Sequence, residues 1–210
     1  MLTAWLFVLL LTCSCNGGQG TDSHVAVGQH DNGKLTPFPG VNELVVNGAD
    51  TVCICLGEDN GWKIISHDSK PHDNDVIWRD SVLNVGRINR KTTDCGSKLV
   101  VALDGVRDLV LKHCGQVTIE GRQKPVRDLY VEISNFNSFG CTAPLQAENI
   151  TLKVDDGDSA SIALDCTRLN VYTANTSLLS LSGRADTLNC FGDTATLHTD
   201  SLNVGVFLRR

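Results

Sequence analysis

The sequence predicts an all-β chain, a parallel β-solenoid (β-helix) with coils of about twenty residues, preceded by a lipoprotein-type signal peptide. Three observations carry this. A polar step, a Leu or Ile and an alternating apolar strand recur at intervals near twenty residues through the second half. No window of about eleven or more residues shows the 3-4 apolar spacing of a helix. A charge-free apolar leader closes on small residues and cysteine.

The leader comes first. Met1 to Gly20 contain no charged side chain, and Ala4 to Leu11 form an apolar run. A bilayer-spanning helix needs roughly twenty apolar residues, so this run fits the core of a signal peptide better. It ends in Thr12-Cys13-Ser14-Cys15, which resembles a bacterial lipobox. That resemblance makes Cys15 the lipidated residue, because Ser14 is the small residue before it. Cys13, with Leu10 three places upstream, is the competing choice. The leader departs from the pattern in having no Lys or Arg near its start. The alternative is an ordinary cleaved signal peptide without lipid.

The expected organisation is signal peptide over 1–15, flexible tether over 16–39 and solenoid over 40–210. The tether is rich in Gly, Asp, Asn, Ser and Thr, and it ends in Thr36-Pro37-Phe38-Pro39. Its His24 and His30 read as exposed linker residues.

Short β-rich runs follow at Leu44–Val46, Val52–Leu56, Trp62–Ile65, Val76–Trp78, Val82–Val85 and Leu99–Leu103. Asn47-Gly48 between the first two marks a hairpin or a corner. The repeats then begin at Val106, Val126, Ala147, Cys166 and Ala185, at intervals of 20, 21, 19 and 19 residues. A weaker copy at Thr199 arrives after 14. One coil of short strands cannot bury its inward side chains alone. Stacking at about 4.8 Å per coil lines like positions up into a continuous core. A β-sandwich of short strands is the alternative architecture, but it does not require a leucine every twenty residues.

Composition bounds the function. Hydrophobic residues make up 41% of 210 residues, aromatic residues only 5%, and there is one methionine. The core must therefore be built from Val, Leu, Ile, Ala and Cys, which favours thin stacked layers. The net charge of −6 and the absence of any basic run argue against nucleic acid as a partner.

There are nine cysteines. Beyond the leader stand Cys53, Cys55, Cys95, Cys114, Cys141, Cys166 and Cys190, the last four separated by 27, 25 and 24 residues. That spacing is not a zinc pattern, and it predicts small buried apolar residues, about one per coil. Cys53 and Cys55 share a strand face, where a disulfide between them has poor geometry. Adjacent His113 and Cys114 should point to opposite faces, which excludes a catalytic pair.

Two segments carry potential metal donors. His67, Asp68, His72, Asp73 and Asp75 crowd one polar loop, and Asp155-Asp156-Gly157-Asp158 has the composition of a calcium loop without its later ligands. Both read as solvated loops. No catalytic residue, metal or cofactor is expected, and no hydrolase, P-loop or zincin motif occurs. Asn149-Ile150-Thr151 and Asn175-Thr176-Ser177 match the glycosylation acceptor pattern, which carries no meaning in a bacterial setting.

Phe38-Pro39-Gly40-Val41 through Val52-Cys53-Ile54-Cys55-Leu56-Gly57 resembles the opening strand pair of the putative auto-transporter adhesin head GIN domain family. The repeats from Val106 to Val204, including Leu181-Ser182-Gly183, are similar in style. The chain has fewer Ser-Gly steps and more Cys and Asp than that family's pattern. The resemblance implies a β-helical envelope lipoprotein, held by its lipid at the outer membrane, with a non-catalytic adhesin or binding role toward a glycan or protein ligand. A polysaccharide lyase or glycosidase on a β-helix is the competing reading. It needs paired carboxylates in an aromatic-lined groove.

Overall fold

The computed structural model describes residues 24–27, 34–65, 75–86, 98–122 and 124–209. Cys13, Cys15, Cys95 and the donors His67, Asp68, His72 and Asp73 lie outside the described residues.

Every element among the described residues is a strand. In chain order they are β1 (His24–Val27), β2 (Thr36–Pro37), β3 (Glu43–Asn47), β4 (Thr51–Leu56), β5 (Gly61–Ile65), β6 (Asp75–Arg79), β7 (Val82–Val85), β8 (Lys98–Leu103), β9 (Asp108–Lys112), β10 (Gln116–Gly121), β11 (Val126–Cys141), β12 (Leu145–Gly192) and β13 (Leu197–Arg209). All thirteen belong to one sheet, not the two of a sandwich. The segment read as a tether contributes β1 and β2.

Strand orientation is mixed, which differs from the all-parallel expectation. Parallel ladders join β7, β3, β9, β11, β12 and β13, and β8, β4, β10 and β11. Antiparallel pairs cluster toward the amino-terminal part: β1 with β6, β6 with β7, β5 with β8, and β2 with β5. The reason is local at β6–β7. Asp80 (φ 49°) and Ser81 (φ 66°) both sit in the left-handed region. Two consecutive positive φ values make a type I′ turn, which folds a strand back on its neighbour.

Asn47-Gly48 is a corner, not a hairpin. β3 pairs with β7 and β9, while β4 pairs with β8 and β10. The same corner recurs down the sheet. Asn47 stands opposite Lys112, Lys112 opposite Ser134, and Ser134 opposite Asp155. The next residue in each case has positive φ: Gly48 (86°), His113 (53°), Asn135 (53°) and Asp156 (48°), with Asn175 (50°) beyond them. Gly, Asn and Asp tolerate this region best, and His is also enriched there.

Period-two alternation gives the core. Leu44, Leu109, Val131 and Leu152 are at most 1% exposed and stand in register across β3, β9, β11 and β12. The leucine repeat itself is not always the register. Leu109 faces Val131, two places beyond Leu129. A two-residue slip keeps the buried face because side chains alternate with period two. The fourteen-residue interval at the carboxyl end is a coincidence of sequence. Leu202 stands opposite Gly183, and Leu188 stands opposite Phe207. Val206, Phe207 and Leu208 on β13 are exposed, and Arg209 lies 5.3 Å from the Phe207 ring centre.

Cys114, Cys166 and Cys190 are buried within the core cluster, as the sequence expects of small apolar residues. Burial pushes the Cys166 thiol up to about 12 and the Cys190 thiol up to about 11. Protonated thiols are poor nucleophiles, so these side chains act as packing. The six described cysteines are free thiols.

Candidate functional site

The outward side chains of β9, β11 and β12 form a polar face. The ladders align Asp108 with Tyr130 and Tyr130 with Thr151, while Glu132 stands opposite Lys153 and Asp128 opposite Asn149. Asn149 Nδ2 donates to Asp128 Oδ1 at 2.8 Å. Further along, Asn189 Nδ2 donates to Asn170 Oδ1 at 2.9 Å. These are rungs of polar side chains one strand apart, the sheet counterpart of neighbouring pairs on a helix.

Glu132 is the centre of this face. Tyr130 Oη donates to its Oε2 at 2.6 Å, and Lys112 Nζ and Lys153 Nζ each lie 3.2 Å from its Oε1. Its side chain is 15% exposed. The Tyr130 hydrogen bond, joined by those of the two lysines, outweighs burial and holds the Glu132 carboxyl below its ordinary value. Burial first, then the bond to Glu132, pushes the Tyr130 phenol up to about 12.

A group with a lowered folded-state pKa stabilises the fold above its unfolded value, about 4.3 for Glu, and loses that contribution as pH falls through the folded value. Replacing Glu132 by Gln therefore flattens the acid limb of the stability curve. Urea midpoints of both chains from about pH 6 to pH 3 check this: the gap between them is widest above the ordinary Glu range and closes below it.

Two depressions flank the Glu132 network. The larger, about 480 Å³, is lined by Arg107, Asp108, Arg127, Asp128, Tyr130 and Asn149, among others. The smaller, about 220 Å³, is lined by Lys153, Asp155, Tyr172, Thr173 and Phe191, among others. Tyr172 and Phe191 stack with ring centres 4.6 Å apart and planes 8° from parallel, and Tyr172 is 43% exposed. Asp155 Oδ1 and Thr173 Oγ1 are buried without a hydrogen-bond partner. Buried orphans of this kind cost free energy unless something else satisfies them. Tyr130 belongs to the first depression and Lys153 to the second, and both bind Glu132, so the two depressions are consecutive along one face.

The sequence-expected donors fare differently. Asp155-Asp156-Gly157 is the recurring corner: Asp156 takes the left-handed conformation, and the Phe136 ring covers the position where a Gly157 Cβ would stand. His113 is also a corner residue, and Cys114 is buried with its Sγ 3.4 Å from the Lys112 carbonyl oxygen. Sequence reasoning missed Tyr130, Glu132, Lys153, Tyr172 and Phe191. Their signal was present as opposite charges 21 residues apart and aromatics 19 apart, at outward positions of the alternation.

No protein-family model matches the chain, and no curated protein sequence does. Among solved structures, it is similar to a "putative adhesin" from Bacteroides fragilis at 8% identity and a TM-score of 0.30, over 91% of this chain and 97% of that one.

Proposed function

We propose that the chain is a non-catalytic binding module of the bacterial cell envelope, and that its polar face takes an extended polar ligand, a glycan in the first instance. The observation that carries this is the pair of consecutive depressions. One is lined by alternating Arg, Asp and Asn side chains, and the other by an aromatic stack beside Lys153 and Asp155. Sugars combine apolar faces for stacking with hydroxyls for hydrogen bonding, which matches that composition. The general-acid role of a glycosidase is disfavoured at Glu132. A general acid needs a raised pKa, whereas this carboxyl is held ionised by a tyrosine and two lysines.

The parallel ladders with register intervals of 18 to 22 residues from β9 onward support a solenoid as the frame of this surface. Export, lipidation at Cys15 and attachment at the outer membrane complete the proposal, on the strength of the leader sequence. Nucleic acid is not a partner in this reading, since the charge balance is acidic.

A glycan array probed with the full chain tests the binding reading. Tyr172→Ala with Phe191→Ala should weaken the strongest hit about tenfold or more, equivalent to about 1.4 kcal/mol. Arg127→Ala should weaken it separately. An array without hits, or hits indifferent to all three changes, would sink the reading.

A further inference from the structure

We propose that Cys53, Cys55 and Glu120 form a binding site for a zinc-class divalent ion on the outward face of β4 and β10. The site is distinct from the polar face described above.

The register builds it. Val52, Ile54 and Leu56 of β4 and Val117 and Ile119 of β10 belong to the core cluster. Alternation then places Cys53, Cys55 and Glu120 on the other side of the sheet. Cys55 stands directly opposite Glu120, and Cys53 stands opposite Thr118, one pleat away. One donor atom from each of the three residues lies within 4.8 Å of the other two. The two thiols lie close enough to act on each other's protonation. A tetrahedral centre with Zn–S bonds of about 2.3 Å sets its sulfurs about 3.8 Å apart, so only a small closure separates the existing cluster from that geometry.

The donor set selects the ion. Two sulfurs and one carboxylate oxygen suit a borderline-soft cation and not calcium or magnesium, which take oxygen throughout. Cys53 is buried, Cys55 half-buried and Glu120 exposed, which gives the ion a route from solvent to the deepest ligand. Binding replaces two S–H bonds by two metal–sulfur bonds and releases two protons. The dication, two thiolates and one carboxylate leave a net single negative charge. Lys98 lies close enough to act electrostatically on both thiols. Three protein ligands leave a fourth position for water or an outside donor.

Cobalt(II) added to the reduced full chain is the probe. The expected result is a saturable thiolate-to-cobalt charge-transfer absorption at one ion per chain, displaced by zinc. Cys53→Ser and Cys55→Ser should each weaken cobalt binding about a hundredfold, and Glu120→Gln about tenfold while retaining sulfur absorption, in keeping with the deprotonated-ligand requirement. Absence of the absorption overturns the site. So does its full persistence in the double serine variant, which would assign the sulfur to other cysteines. Should a serine variant fail to fold, alkylation of the unaltered chain decides. Zinc must protect Cys55 from alkylation as read by mass spectrometry, and equal labelling with and without zinc overturns the proposal.

Discussion

A chain carrying Gly183→Ala melts about 6–12 °C below the unaltered protein, on the scale of about 2–4 °C per kcal/mol for a domain of this size and a loss of about 3 kcal/mol. Two costs combine. Gly183 has φ +100°, a conformation that L side chains rarely adopt. An added Cβ would also press into the carbonyl oxygen of Leu164 on the neighbouring stretch of β12, well inside contact distance. Backbone atoms paired in a ladder cannot swing aside as a flexible side chain can, so relief requires breaking the pairing. Gly140 is the control. It stands in β11 without positive φ, and nothing lies within 4 Å of its would-be Cβ. Gly140→Ala should be neutral or stabilise by about 0.4–1 kcal/mol through the unfolded state. Thermal melts of the three chains settle the matter, and equal melting temperatures would refute this account of the turn.

The second large effect belongs to the core column. Leu152→Ala removes a side chain with no exposure and should cost about 2–5 kcal/mol, the range for burying a cavity in a packed interior. Val131 stands directly opposite it on β11 and is 1% exposed. Because ladder neighbours are about 4.8 Å apart, the two truncations share one cavity. The double variant should therefore depart from the sum of the singles by about 0.5–3 kcal/mol, whereas Leu152→Ala combined with Leu44→Ala, three strands away, should add within about 0.5 kcal/mol. Denaturant midpoints give all the terms. Strict additivity for Val131 and Leu152 would mean that the column does not pack as one unit.

Much of the strand content was legible in the sequence because alternation is a local property. Val126–Val131 and Ala147–Leu152 announce both a strand and its buried face, and their 21-residue offset is the true register. Orientation was less legible. The β6–β7 reversal depends on Asp80 and Ser81 both taking positive φ, and Ser81 is not a residue that advertises this. Register failed where the motif recurred out of step with the ladder, as at Leu202, which stands opposite Gly183 and not Leu188, because pairing is decided by backbone hydrogen bonds and not by likeness of side chains. The polar face was hidden for a different reason. Glu132, Lys112 and Lys153 come from three strands, and each alone reads as an ordinary solvated charge. Only the stacking of β9, β11 and β12 turns them into a network. Cys53 and Cys55 were placed correctly on one face, yet Glu120 lies 65 residues further on, and nothing between them signals that β10 is the partner of β4.

The left-handed corners at His113, Asn135, Asp156 and Asn175 follow one another at 22, 21 and 19 residues, so the stretches between them differ by one or two residues without losing the buried face. An added residue is absorbed where the pairing is irregular, as between Ser180 and Ser182, whereas the same residue placed inside the unbroken alternation of Ala160, Ile162 and Leu164 turns the side chains beyond it over. A whole added stretch from one corner to the next keeps each side chain on its present face. Length therefore varies at the corners and irregularities of this sheet, and the alternating runs between them are held to their count.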